Sequence, residues 1–541
     1  MHPMSFRKPW LSWSTGLLTL AAAAGAWSVT PAAPAGAASS TVTVGVSEEP
    51  TTLNPMIPQA GVTNGEVQYS MFRNLFLVTP KDQLKPDLAS VVPTVANDGI
   101  SKNGLVYTFH LRPGLEWSNG QSLTSRDVWE TYKLATNKTV NPGSSLGWND
   151  IRRFQVLSNT SFRITLKQPF APLLVTIFAG PGLVPYSVFH NMPAAKVAKA
   201  AWNSAPTMTD GPYMFQSWVR GQAITVVRNP HWYGPKPKAS EIEFKIVPND
   251  NSLLVQAQAG SINVWPDFPV NYASEVKSLP GAQIHAATGT GWEAPVVNFR
   301  SPILQNRDVR IALEESINRA AMVKALYGPY AQVAVADQAP NSWGFNAALK
   351  PWPYNPGQAK ALLTKAGWKV GAHGYRYKNG KELTLTYLSF SGDPIRAEIE
   401  RLLQQWWGQI GIHLVIKNYP ANVLFGGMVQ KGTGWDLFEV ESTGGGDPSV
   451  LDYDLFATKG FLNFGAYSNP QVDRLLTEIQ SQPSQAKRAQ IFRSVETILR
   501  NQLPHLFLYY PKALEATFHL TGFTQNPWSS DTWNCWNWQA N

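Results

Sequence analysis

Tyr107-Thr108-Phe109-His110-Leu111-Arg112-Pro113-Gly114 is followed closely by Trp117-Ser118-Asn119-Gly120 and Leu123-Thr124-Ser125-Arg126-Asp127-Val128, and the fold is read outward from this stretch. Tyr107, Phe109 and Leu111 alternate with polar neighbours, the period of a half-buried strand. Pro113-Gly114 and Asn119-Gly120 are turn pairs. Thr124 then precedes an apolar-periodic run with Asp127 three residues later, a variant capping box that opens a helix. Strand, turn and capped helix in immediate succession predict an α/β chain.

The same grammar recurs on both sides. Thr41–Val46, Leu105–Leu111, Phe162–Leu166, Ala223–Arg228 and Ile242–Val247 read as strands separated by Gly, Pro or Asn. Farther on, Asn355-Pro356, Asp393-Pro394 and Asn469-Pro470 each place an N-cap residue before a proline at the first helical position. Gly367 and Gly411 stand where left-handed helix ends are wanted. Three apolar stripes recur at spacings of three and four: Val309, Leu313, Ile317 and Ala320; Ile399, Leu402, Leu403 and Trp406; and Val472, Leu475, Leu476 and Ile479. Leu383–Leu388 and Ile412–Ile416 are the strands that such helices would cover.

The chain of 541 residues carries a net charge of +9. Arg7 and Lys8, a small apolar stretch from Leu17 to Val29, and the small residues from Pro31 to Ala38 form an expected export signal over residues 1–38. Without its two basic residues, 43 basic against 36 acidic side chains leave +7, scattered without the Lys/Arg blocks that mark nucleic-acid binding. The expected product is exported and soluble, a monomer, and not a lipoprotein, since no cysteine lies near the cleavage point. Cys535 is the single cysteine, so no internal disulfide forms.

Catalytic signatures are missing. The chain has no phosphate-binding loop ending in Lys-Ser/Thr and no His-Glu-x-x-His pair. Carboxylate pairs of the kind a glycosidase needs exist at Glu48/Glu49, Glu314/Glu315 and Asp452/Asp454, with the Glu314 pair expected on a solvated helix face. Twenty-one tryptophans are unusual; most are expected in the core, with a minority lining a ligand cavity. These readings offer no cofactor site, leave a secreted carbohydrate-active enzyme as an alternative, and favour a protein that binds without turnover.

Beyond these local readings, the chain resembles the family 5 extracytoplasmic solute-binding proteins, the receptors of ABC importers for dipeptides, oligopeptides and nickel. Leu53-Asn54-Pro55, Leu84-Lys85-Pro86-Asp87-Leu88-Ala89 and the opening stretch carry the resemblance. Gly211-Pro212-Tyr213, Arg228-Asn229-Pro230 and Asn306-Arg307-Asp308-Val309-Arg310 extend it, as does Asp473-Arg474-Leu475-Leu476 leading to Leu503-Pro504. It implies a two-lobed periplasmic-binding-protein fold of the large class II type with a discontinuous first lobe. Residues 39–286 and 506–541 would form lobe one, with an inserted subdomain, and 287–505 lobe two. Trp292–Phe299 and Leu506–Tyr510 would be the hinge strands. It implies capture of a peptide or peptide-like solute, delivery to membrane permease subunits, and no cofactor, metal or nucleic acid. An oligosaccharide or another amine-bearing solute is the alternative on the same fold. The implied ligand-binding residues are Asp447, after Gly444-Gly445-Gly446, as counter-charge for a ligand ammonium, with Glu49, Trp265, Phe268, Trp292 and Asn298. The resemblance places no basic partner for a ligand carboxylate.

Overall fold

The computed structural model describes residues 40–541 except 58–61, 141–144, 181 and 443–445, with the side chains of 62–64 and 372 also left out. The expected signal over residues 1–38, and Gly444 and Gly445 of the glycine run, lie outside the described residues. Among those described, no helix is long and apolar enough to cross a membrane.

The decisive stretch folds as its grammar requires. Val106–His110 is a strand, and Ser125–Ala135 is a helix capped by Thr124, whose hydroxyl accepts from the Arg126 amide while Asp127 reaches back to the Thr124 amide at 2.7 Å. Asp127 also accepts the Tyr186 amide at 2.8 Å, tying the helix start to the next segment. The strand pairs with Ser161–Leu166, which pairs with Ile151–Ser158, in a small antiparallel sheet separate from the main one.

The main framework is a twelve-stranded mixed sheet. Its path runs from His413–Tyr419 through Thr384–Phe390, Leu437–Ser442 and Trp292–Val297 to the long C-terminal strand Tyr509–Phe518. It continues through Val264–Trp265, Thr41–Val46, Glu241–Ile246 and Ala223–Arg228 to Tyr213–Val219. Two further strands, Ala282–Thr288 and Ala331–Val333, pair with Tyr509–Phe518. This strand changes partners along its length: Tyr509 to Pro511 pair with Val333 to Ala331, while Lys512 to Phe518 pair with Thr288 to Ala282.

The hydrophobic cores separate on either side of that change. One set is built from residues before Thr288 with the chain end, around Val44, Phe109, Phe244, Leu514 and Trp538. The other is built from the intervening residues, around Leu313, Tyr387, Trp407, Phe438 and Phe492.

The cap-proline signals all hold: Asn355, Asp393 and Asn469 each cap with the side chain, and Gly367 and Gly411 each adopt φ +90° after the helices they end. Two expectations fail. Ala320 is exposed rather than part of a stripe, because the first helix stops at Glu315 and a second begins at Arg319 with its own cap, Asn318, so the period restarts. Glu314 and Glu315 are buried, not solvated; Glu314 forms a 2.6 Å ion pair with Arg319 that secures this break between helices. Thr124→Ala, which removes one half of the capping box, should lower stability by about 1 kcal/mol, read as a shift of the urea midpoint without a change in slope.

Candidate functional site

Alternation along Tyr509–Phe518 puts successive side chains on opposite faces. Lys512 and Leu514 face one cavity of about 390 Å³, and Ala513 and Glu515 face another of about 330 Å³. The strand that joins the two halves of the sheet is therefore also a partition between two cavities. The larger one spans both halves, with Phe268 and Asn271 on one wall and Glu293, Tyr327, Asp393, Arg396 and Glu441 on the other. The smaller is walled by Glu66, Tyr69, Gln525, Asn526, Ser530 and Asp531. Asp267 lines both.

Asp267 is held at this edge by its backbone. Its φ is +52°, a left-handed conformation that Asp tolerates better than most residues, and its amide donates to Glu515 at 2.6 Å. The Phe268 amide donates to the Leu514 carbonyl, docking the loop on the partition strand. The turn thus buries Trp265 and Phe268 and leaves Asp267 exposed to the cavities.

The walls are strongly acidic. Together they present seven carboxylates, Glu66, Asp267, Glu293, Asp393, Glu441, Glu515 and Asp531, against two cations, Arg396 and Lys512. Arg396 is already engaged: it lies 3.4 Å from Glu293, 3.2 Å from Glu441 and 3.8 Å from Asp393, over the ring of Phe390. In the smaller cavity Glu66 accepts the amides of Asp531 and Thr532 at 3.2 Å each. Burial still pushes the Glu66 carboxyl up to about 7 and Glu515 to about 8. Asp531 is raised well above the carboxylate range by burial and then by the charges of Glu515 and Glu66. On the opposite side, burial and neighbouring Glu439 raise Glu293 despite Arg396. Such walls disfavour their own ionisation and favour an incoming cation. Among the described residues no group of His, Cys, Asp and Glu is arranged to hold a metal ion.

Of the residues singled out in the sequence, Phe268 lines the larger cavity, and the other five line neither. Asp447 caps the helix Pro448–Phe456 by accepting the Ser449 amide, and its carboxylate meets Arg488 at 2.6 Å with both side chains buried. Glu49 accepts from the Trp218 indole at 2.9 Å and the Gly221 amide at 3.0 Å. Trp265 packs against Phe268 and Tyr272. Trp292 packs against His505 and Phe507, and Asn298 donates to the carbonyls of Gly432 and Trp435. Glu66, Asp267, Arg396, Lys512, Glu515 and Asp531 were not singled out; only Asp267, between Trp265 and Phe268, had a signal close by.

Comparison with known proteins gives a consistent picture. The model of bacterial extracellular solute-binding proteins, family 5 middle, matches residues 84–461. Protein XP55 of Streptomyces lividans is 26% identical over 475 residues, 87% of this chain and 83% of that protein. The oligopeptide-binding protein AppA of Bacillus subtilis is 23% identical over 92% of this chain and 90% of its own length. In structure, AppA in complex with a nonapeptide superposes with a TM-score of 0.76 at 22% identity, covering 93% of this chain and 99% of AppA. The Listeria monocytogenes binding protein CtaP reaches 0.81 at 20% identity, covering 92% and 99%.

Asp447 and Trp292 each make buried contacts whose loss is measurable. Asp447→Ala strands the buried Arg488 guanidinium and should cost about 3–5 kcal/mol of stability in urea unfolding. Trp292→Ala should cost a similar amount, about 3–5 kcal/mol, by leaving a cavity against His505 and Phe507.

Proposed function

Since the chain belongs to the family 5 bacterial extracellular solute-binding proteins, we propose that it captures a peptide or peptide-like solute carrying at least one cationic group and passes it to an ABC permease. Export through residues 1–38, without lipid attachment, is part of this reading, as is division into lobes 39–286 with 506–541 and 287–505 that close on the ligand. The oligopeptide-binding function of relatives such as AppA supports the peptide class. The single observation that carries the cationic requirement is Asp267, exposed at the junction of two cavities whose carboxylates outnumber their cations seven to two.

An ammonium leaving water for a closed cleft needs compensating charge. Asp267 offers it at the junction, and Glu66, Glu515 and Asp531 extend it into the smaller cavity. Asp447 does not serve in this reading, because Arg488 already neutralises it. The Arg396 network belongs to the far wall, where Glu293, Asp393 and Glu441 keep the guanidinium in place. A non-peptide amine would meet the same walls, and the mass of the bound solute distinguishes the two. Native mass spectrometry of the protein as purified should show a bound species with the mass and fragmentation of a peptide; a sugar or an unmodified apo mass after gentle isolation contradicts the proposal.

The raised carboxyls add a pH signature. In the empty receptor Glu66 and Glu515 hold protons near neutrality, since their carboxyls sit at about 7 and about 8. A ligand cation favours their ionised forms, lowers those values and releases protons. Affinity should therefore rise from pH 6 to pH 8, by up to about tenfold per pH unit for each proton released, and flatten above. Calorimetry in two buffers of different ionisation enthalpy measures the released protons directly; no release, or tighter binding at pH 6, contradicts the assignment.

A further inference from the structure

The geometry points to Lys512 as the binding residue for a carboxylate of the ligand, which makes the captured solute a zwitterion oriented across the partition strand. The assignment rests on the peptide reading above and adds to it the anionic end, for which no basic partner was evident.

Three observations carry it. First, Lys512 lies where the Tyr509–Phe518 strand changes partners, opposite Thr288, with its side chain lining the larger cavity. Most of this strand is buried, and a charged residue at its centre is half-buried rather than at a solvated end. Second, that cavity holds two cations, and only one is neutralised. Arg396 is enclosed by Glu293, Asp393 and Glu441. The Lys512 ammonium has no hydrogen bond or ion pair among the described residues, although the cavity wall offers several carboxylates. A lysine that neutralised the walls would be found against one of them. Third, the carboxylates that Arg396 does not engage lie at and beyond the partition strand. Asp267 stands at the junction with the smaller cavity, and Glu66, Glu515 and Asp531 lie beyond the partition. An extended solute with its ammonium at Asp267 therefore places its anionic end back in the larger cavity, where Lys512 is the cation free to receive it.

The chemistry fits. A lysine ammonium is a compact point charge on a flexible stem and can follow a carboxylate whose position varies with ligand length, unlike the planar fork of Arg396 held by its three partners. Withdrawing one carboxylate into the cleft without a partner would be costly, so discrimination against ligands with that group blocked should be large.

The test uses the full exported protein, stripped of co-purified solute, and a randomised tetrapeptide library prepared as free acids and as C-terminal amides. Bound masses are read by native mass spectrometry, with affinities for the retained peptides by calorimetry. Wild type should prefer free acids over the matching amides by at least about tenfold. Lys512→Gln should abolish that preference through loss of free-acid affinity, and Lys512→Arg should retain it. A purely structural role for Lys512 would weaken both forms alike and leave the ratio intact, and thermal unfolding of each variant checks the fold. Equal binding of acids and amides by wild type, or a preference that survives Lys512→Gln, overturns the assignment while leaving the peptide reading standing. Failure of wild type to retain any member of either library overturns both.

Discussion

Everything in this molecule depends on the hydrogen-bond ladder of one strand. Tyr509–Phe518 pairs with strands of both halves, and without it the twelve-stranded sheet would be two separate sheets. Because strand side chains alternate, Lys512 to Glu515 of this strand also separate two cavities on its opposite faces. Lys512 and Leu514 serve one cavity while Ala513 and Glu515 serve the other.

The acidity of the cavities conflicts with the stability of the empty protein. Glu66, Glu515 and Asp531 are buried together, and their raised proton affinities mean that folding works against their ionisation near neutrality. Backbone amides of Asp267, Asp531 and Thr532 offset part of that cost. A cationic solute offsets more. On the proposed reading, a bound cation lets these carboxyls ionise, so binding is coupled to proton release. The Arg488–Asp447 pair shows the alternative solution, in which the protein supplies its own counter-charge.

Much of the fold was legible because its signals are local. The Thr124–Asp127 box, the three cap-proline starts and the alternation in Thr41–Val46 need only a few neighbouring residues, and each appears where the sequence places it. The stripe ending at Ala320 failed where a new cap at Asn318 interrupted the period, and the Glu314 pair failed because its partner, Arg319, lies beyond that break. The site was less legible for the same reason in reverse. Asp267 and Glu515 are 248 residues apart and meet only through the sheet, while Lys512 looks like any other lysine until the strand's pairing is known. The loop holding Trp265 and Phe268 was found, but its aromatics turn mainly into the core and its aspartate into the cavities, a distinction set by a single positive φ at Asp267. The large aromatic side chains of Trp265 and Trp292 mainly pack in the core.

The central claim is that ligand lies along the partition strand with its cation at Asp267. Carboxyl footprinting with a carbodiimide and an amine label, read by peptide mass spectrometry, tests it most directly on protein loaded with its co-purified solute and on the same protein after stripping. The account predicts that Asp267 is labelled in the stripped protein and protected in the loaded one, while Glu49, held by Trp218 and Gly221, is labelled equally in both. Equal labelling of Asp267 in the two states, with protection appearing only at carboxylates away from both cavities, would contradict it.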